Sequence, residues 1–120
     1  MTAIYDLILK GGRVIDPANG INWPMDVAVK GDRIAAVATD IPITEGLIVV
    51  PLSGLIVTPG LVDIHVHAFG GYHGWLVMDS HTLRNGVTTV VDTGGAGWKR
   101  FEEFKDTVMA TSTTRVLAFL

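Results

Sequence analysis

The 120-residue chain has no cysteine. Disulfides, thiolate metal sites and cysteine nucleophiles are therefore excluded together. Charge is also sparse: Lys and Arg number 9 against 12 Asp and Glu, a net charge of −3. The longest basic run is Lys99-Arg100, so no basic stripe is present for nucleic acid or an anionic membrane. The start, MTAIYDLILKGG, places an acid at Asp6 and lacks a basic flank before an apolar core, which argues against a signal peptide. A long apolar run is missing too. GLIVVPLSGLIVTPGLV is interrupted by Pro51, Ser53, Gly54 and Pro59 and reads as strands and turns rather than a membrane span. These absences together give a soluble, cytoplasmic protein as the expectation. What the chain does have is hydrophobic residues, 48% of the total. In so short a chain that surplus implies very complete burial or apolar surface awaiting a partner.

Residues 1–58 read as short strands separated by turn signals. IYDLILK alternates Tyr5, Leu7 and Leu9 against Asp6 and Lys10, the pattern of a half-buried strand. Gly11-Gly12 is expected to break it, RVID follows, and DPANG supplies a turn. MDVAVK and RIAAVA flank Gly31-Asp32, the spacing of a tight hairpin. LIVVP and GLIVTP are two more short apolar runs.

The texture changes after Pro59. LVDIHVH is a strand candidate, and MDSHTLRNG suits a short helix capped by Asp79 or Ser80 and ended by Gly86. VTTVVD is a second strand. GWKRFEEFKDTVMAT sets Phe101, Phe104 and Val108 on one helical face, and RVLAFL is a third strand. This alternation is that of a parallel α/β sheet. The final apolar strand has nothing after it to cover its edge, so the sequence reads as truncated.

The chemistry concentrates in PGLVDIHVHAFGG, residues 59–71. Asp63, His65 and His67 occupy alternate positions, with Val62, Ile64 and Val66 between them. Side chains two apart in a strand share a face, with Cα atoms roughly 6.5–7 Å apart. His65 and His67 can thus converge on one ion, each with a nitrogen at about 2.0–2.1 Å. A set of ordinary hydrogen bonds is the competing explanation for this polar face. Val62, Ile64 and Val66 are expected to pack under the helices.

Other residues leave alternatives open. Asp92 closes the second strand, where it contacts substrate or a ligand histidine, or else caps an Asx-type turn. His73, in the glycine-rich loop, lines a substrate pocket or is an ordinary surface histidine. His81 suits a solvated helix face, and GGAG at 94–97 suits a plain turn.

LIVTPGLVDIHVH, preceded by GRVIDP and the GDRIAAV hairpin, resembles the opening of amidohydrolase-superfamily enzymes. Within that superfamily it resembles the dihydroorotase-like enzymes and the amidohydrolase/deacetylase group, and RNGVTTVVDTGGAG resembles the second barrel strand of the deacetylase group, where dihydroorotases proper differ after the strand. The resemblance implies an α/β fold: 1–58 as N-terminal strands of a composite β-sandwich domain, and 59–120 as the first strand–helix units of an incomplete TIM (β/α)8 barrel. It further implies that His65 and His67 are metal ligands, most often to zinc, with one or two ions in a complete enzyme. Asp63, His73 and Asp92 are then candidates for substrate contact or for orienting a ligand. A bridging lysine, further histidines and a late aspartate belong to later strands of such enzymes. Lys99 and Lys105 lie in an expected helix and do not match the bridging position.

The activity implied is metal-dependent hydrolysis of a non-peptide or cyclic C–N amide bond in a small molecule, as in N-acyl amino acid deacetylases or dihydroorotases. No catalytic acid or base is identifiable in this chain, so an N-terminal portion inactive by itself is expected. The alternative is a non-catalytic remnant or interaction module that keeps the fold's start. A homo-oligomer or a companion segment is expected to complete the fold, and two chains pooling their histidine pairs would form a four-ligand site.

Overall fold

A computed structural model describes residues 3–70 and 76–120. The chain divides into two compact units, Met1–Pro59 and Gly60–Leu120.

The first unit is a mixed five-stranded sheet. Its strands are β1 (Tyr5–Asp16), β2 (Ile21–Lys30), β3 (Arg33–Ala38), β4 (Gly46–Pro51) and β5 (Ile56–Val57). β1 runs antiparallel to β2 on one side and parallel to β4 and then β5 on the other, while β3 pairs β2 antiparallel. The β2–β3 hairpin turns at Gly31, whose φ of +59° is the backbone state glycine tolerates best.

Gly11-Gly12 does not end the first strand. β1 continues through it with a register shift between Leu9 and Gly12, the signature of a β-bulge. The Gly11 N–H that leaves the ladder donates to Asp26 Oδ1 at 2.8 Å. A side chain at Gly12 would come within 2.8 Å of Val57 Cγ2, so β5 approaches β1 closely only because glycine stands there. The buried face also differs from the expected Tyr5, Leu7, Leu9 set. Ile8 is fully buried with Ala28 and Ile41. Lys10 reaches Asp26 and Asp40, each at 2.6 Å. Burial pushes the Asp26 carboxyl up, but the Lys10 ammonium and the N–H groups of Ile41 and Gly11 outweigh it and hold it below the ordinary carboxylate value. Asp26 thus stitches the bulge, β2 and the segment at Ile41 together.

The second unit is a parallel sheet in the order β6 (Leu61–Val66), β7 (Val87–Asp92), β8 (Arg115–Ala118). Helix α1 (Met78–Thr82) and a 3-10 turn over Leu83–Asn85 connect the first pair. A 3-10 turn at Trp98–Arg100, α2 (Phe101–Phe104) and a π-helical turn at Lys105–Met109 connect the second. Strand, helix, strand, helix, strand in one parallel sheet is the opening architecture of a (β/α)8 barrel, not yet closed. Val66, Val90 and Val116 from the three strands share one core with Phe69, Met78 and Phe104. Phe101 and Val108 pack against it, as the helical stripe requires.

Two local expectations are corrected. Val77, in extended conformation, precedes α1 and gives no side-chain cap. Asp79 lies inside the first turn and spends its carboxylate on the N–H groups of Thr113 and Thr114, both at 2.8 Å, tying α1 to the entry of β8. Ser80 turns back to the Val77 carbonyl. Val62 and Ile64 do not pack under helices but are 60% and 70% exposed, and only Val66 is buried. The reason is that β6 is an edge strand and the helical cover reaches it only at its last residue, through Met78, Phe69 and Phe104. Among the described residues, no helix is long and apolar enough to cross a membrane.

The Asp79 arrangement has a pH consequence. Its two backbone donors lower the carboxyl from 3.8 to about 2. A depressed folded-state pKa adds stability that is present above the unfolded value and lost as pH falls through the folded one. Acid titration of the urea midpoint from about pH 4 to about pH 2 is expected to show this loss, and Asp79→Asn is expected to flatten that stretch of the curve.

Candidate metal centre

The apolar alternation of β6 holds it extended, and its pairing with β7 brings its C-terminal end to the same rim as Asp92 (Val66 pairs Asp92). His65 and His67 stand at this end. Their rings lie edge to face, with centroids 5.7 Å apart and planes at 85°. Two imidazoles sharing one ion at ~2.0–2.1 Å per nitrogen would have ring centroids roughly 5 Å apart. The observed centroid spacing is close to that value. Imidazole nitrogens suit zinc and other borderline cations.

Asp63 is not joined to this pair as a third ligand. It is exposed, and its Oδ1 accepts the backbone N–H of His65 at 3.0 Å. It also lines a groove with Val66, His81, Thr82 and Asn85. The pairing of β6 with β7 shifts register between Leu61 and Val62 and again between Asp63 and Val66. Among the described residues, no group of three or more His, Cys, Asp or Glu side chains is placed to hold a metal. The two histidines are a candidate pair, one short of the three protein ligands usual for catalytic zinc. His73 lies outside the described residues.

Asp92 is 1% exposed, and its carboxylate gathers three main-chain N–H groups. Its Oδ2 accepts the Ala68 N–H at 2.7 Å, and its Oδ1 accepts those of Gly94 and Gly95 at 3.0 and 2.7 Å. GGAG is accordingly a turn organised by that carboxylate, with Gly97 donating to the Gly94 carbonyl. His81 is exposed, its Nδ1 lying 2.9 Å from the Val77 carbonyl oxygen. Lys99 sits over the Trp98 ring and Lys105 pairs with Glu102, so both are surface residues of the second crossover.

Sequence reasoning did not find Thr93 or Leu76. The Thr93 N–H donates to the Val66 carbonyl at 3.0 Å and the Leu76 N–H to the His67 carbonyl at 2.8 Å. These are main-chain bonds, which leave no residue-type signal to read. Phe69, two residues beyond His67, meets Phe104 edge to face at 5.6 Å and carries the Arg100 guanidinium 4.5 Å above its ring.

No protein-family model matches the chain. Residues of this chain are 47% identical over 62 positions to the dihydroorotase of Geobacter sulfurreducens, a match covering 52% of this chain and 15% of that protein. The chain therefore spans far less than the length of the curated relatives it matches. Among solved structures, a dihydroorotase superposes with a TM-score of 0.77 at 29% identity, covering 95% of this chain and 30% of that one. A D-aminoacylase with a binuclear metal centre superposes with a TM-score of 0.59 at 36% identity, covering 73% of this chain and 18% of that one. Sequence likeness, the parallel βα opening and these superpositions agree: the chain belongs to the amidohydrolase superfamily, with dihydroorotase-like homology over the part of the fold it spans.

Proposed function

We propose that His65 and His67 are metal ligands of a metal-dependent amidohydrolase that cleaves a non-peptide or cyclic C–N amide bond, of the N-acyl amino acid deacetylase or dihydroorotase kind. The observation that carries this reading is the pair of imidazoles meeting at 5.7 Å on the C-terminal end of a parallel strand, the end of a barrel strand where catalysis resides. The likeness to dihydroorotases and to a D-aminoacylase with a binuclear metal centre supports it.

A bound divalent cation, zinc by preference, supplies an activated water near neutral pH and polarises the scissile carbonyl. This chain's contribution is to hold and orient it. His65 and His67 would each offer an imidazole nitrogen, and the bonds from Thr93 and Leu76 hold the backbone on either side of the His67 Cα. The remaining ligands and the proton-transferring group come from residues beyond those described, through a companion segment or a homo-oligomer. Residues 1–58 we read as N-terminal strands of the composite β-sandwich domain, and residues 59–120 as the first barrel units. His73 remains our candidate for a substrate contact from the loop after β6. We further propose a cytoplasmic location and a small-molecule substrate.

The test is hydrolysis of dihydroorotate and of a panel of N-acyl amino acids by the full chain in its native assembly. Activity is expected to vanish on dialysis against a chelator and to return with zinc. Hydrolysis that survives chelation contradicts the reading. The exposed Leu61, Val62 and Ile64 on the free edge of β6 favour one second reading, a non-catalytic module that docks a partner there. It predicts partner capture that is indifferent to chelator.

A further inference from the structure

We infer that Asp92 is a positioning residue for His67 and that it acts through the main chain on either side of it. This rests on the metal reading of His65 and His67. The carboxylate is all but fully buried, and burying a charge is costly unless several donors meet it. Here three N–H groups do, and they come from two different loops: Ala68 after β6, and Gly94 and Gly95 after β7. The next residue, Thr93, donates its N–H to the Val66 carbonyl at 3.0 Å, with its hydroxyl 3.3 Å from the same oxygen. The peptide units on both sides of His67 are therefore fixed from the end of β7. The base of the clamp is itself held, since the Asp92 carbonyl accepts the Phe119 N–H at 2.9 Å.

The chemistry of the group explains why it is a carboxylate. Asp92 presents acceptors on both oxygens, one toward each loop. An asparagine of the same shape keeps one acceptor and turns an NH2 toward the other loop's donors. Removing acceptance on the Ala68 side frees the backbone that aims the His67 ring, while the β7 turn can survive. Partners that orient a ligand without touching the ion typically control affinity by about 10–100-fold.

The test compares the parent chain with Asp92→Asn, both isotopically labelled. In the metal-free state, the variant is expected to exchange its Ala68 amide at least about tenfold faster and to broaden the His67 ring signals, with amide shifts of Met1–Pro59 unchanged. In the zinc titration its affinity is expected to fall about 10–100-fold. Retention of the parent's Ala68 exchange and His67 signals overturns the inference. Should Asp92→Asn fail to fold, Gly95→Ala decides the matter. A Cβ there would lie 3.3 Å from both carboxylate oxygens, displacing Asp92 without removing it. It is expected to move the same signals in the same direction by less, and unchanged signals overturn the inference. The metal-free comparison is independent of zinc. If the parent takes up no zinc, the metal reading fails while the Ala68 and His67 signals still decide the role of Asp92.

Discussion

Replacing His65 and His67 together by alanine is expected to abolish zinc uptake, and each single replacement to weaken it by more than the ~10–100-fold typical of an outer partner. The two histidines are not equivalent. His65 is exposed, and its backbone is bound by Asp63 from within the same strand. His67 is half-buried, and its flanking peptides are fixed by Asp92 and Thr93. A preorganised ligand loses less freedom on binding, so His67→Ala is expected to cost more affinity than His65→Ala. Competition against a chromophoric chelator measures both. Equal zinc uptake by parent and double variant would remove the metal assignment.

The largest stability effect is expected at Phe104. Its side chain is fully buried, meets Phe69 edge to face and packs with Val66, Met78, Val90 and Val116. Truncation to alanine removes the aromatic contact and leaves a cavity in a small core, a loss of about 3–5 kcal/mol. Set against a typical total of about 5–15 kcal/mol for a domain, that is a large fraction. Urea unfolding of the full chain measures it. Phe101 on the same helical segment is half-buried, and Phe101→Ala is expected to cost clearly less. The effect is expected to reach the site as well. Phe69 belongs to the loop that Ala68 begins, so loosening its packing loosens the backbone after His67. A Phe104→Ala chain as stable as Phe101→Ala would contradict the placement of the core.

Much of this architecture was legible in the residue pattern because it is set by local periodicity. The alternation of LVDIHVH, the β-branched run VTTVVD, the Phe101/Phe104/Val108 stripe and the Gly31 turn each encode their own element. What could not be read is set by contacts across the chain. Gly11-Gly12 resembles a strand break until the Asp26 carboxylate, fifteen residues away, accepts the freed N–H. Asp79 resembles a helix cap until β8 presents two donors to it. Val62 and Ile64 carry the pattern of buried residues, yet burial depends on cover that β6 lacks along most of its length. At the site, the alternate spacing of His65 and His67 is legible in the sequence, and their ring centroids lie 5.7 Å apart. The role of Asp92 was left between two readings, since a sequence shows that a carboxylate ends a strand but not which amides surround it.

X-ray diffraction at the zinc absorption edge, on crystals of the zinc-loaded chain in its native assembly, tests the central claim most directly. The account predicts one strong anomalous peak between the two imidazoles, with a nitrogen of His65 and one of His67 each at about 2.0–2.1 Å. A zinc-saturated crystal with no peak there, and both rings bonded only to protein or water, would contradict it.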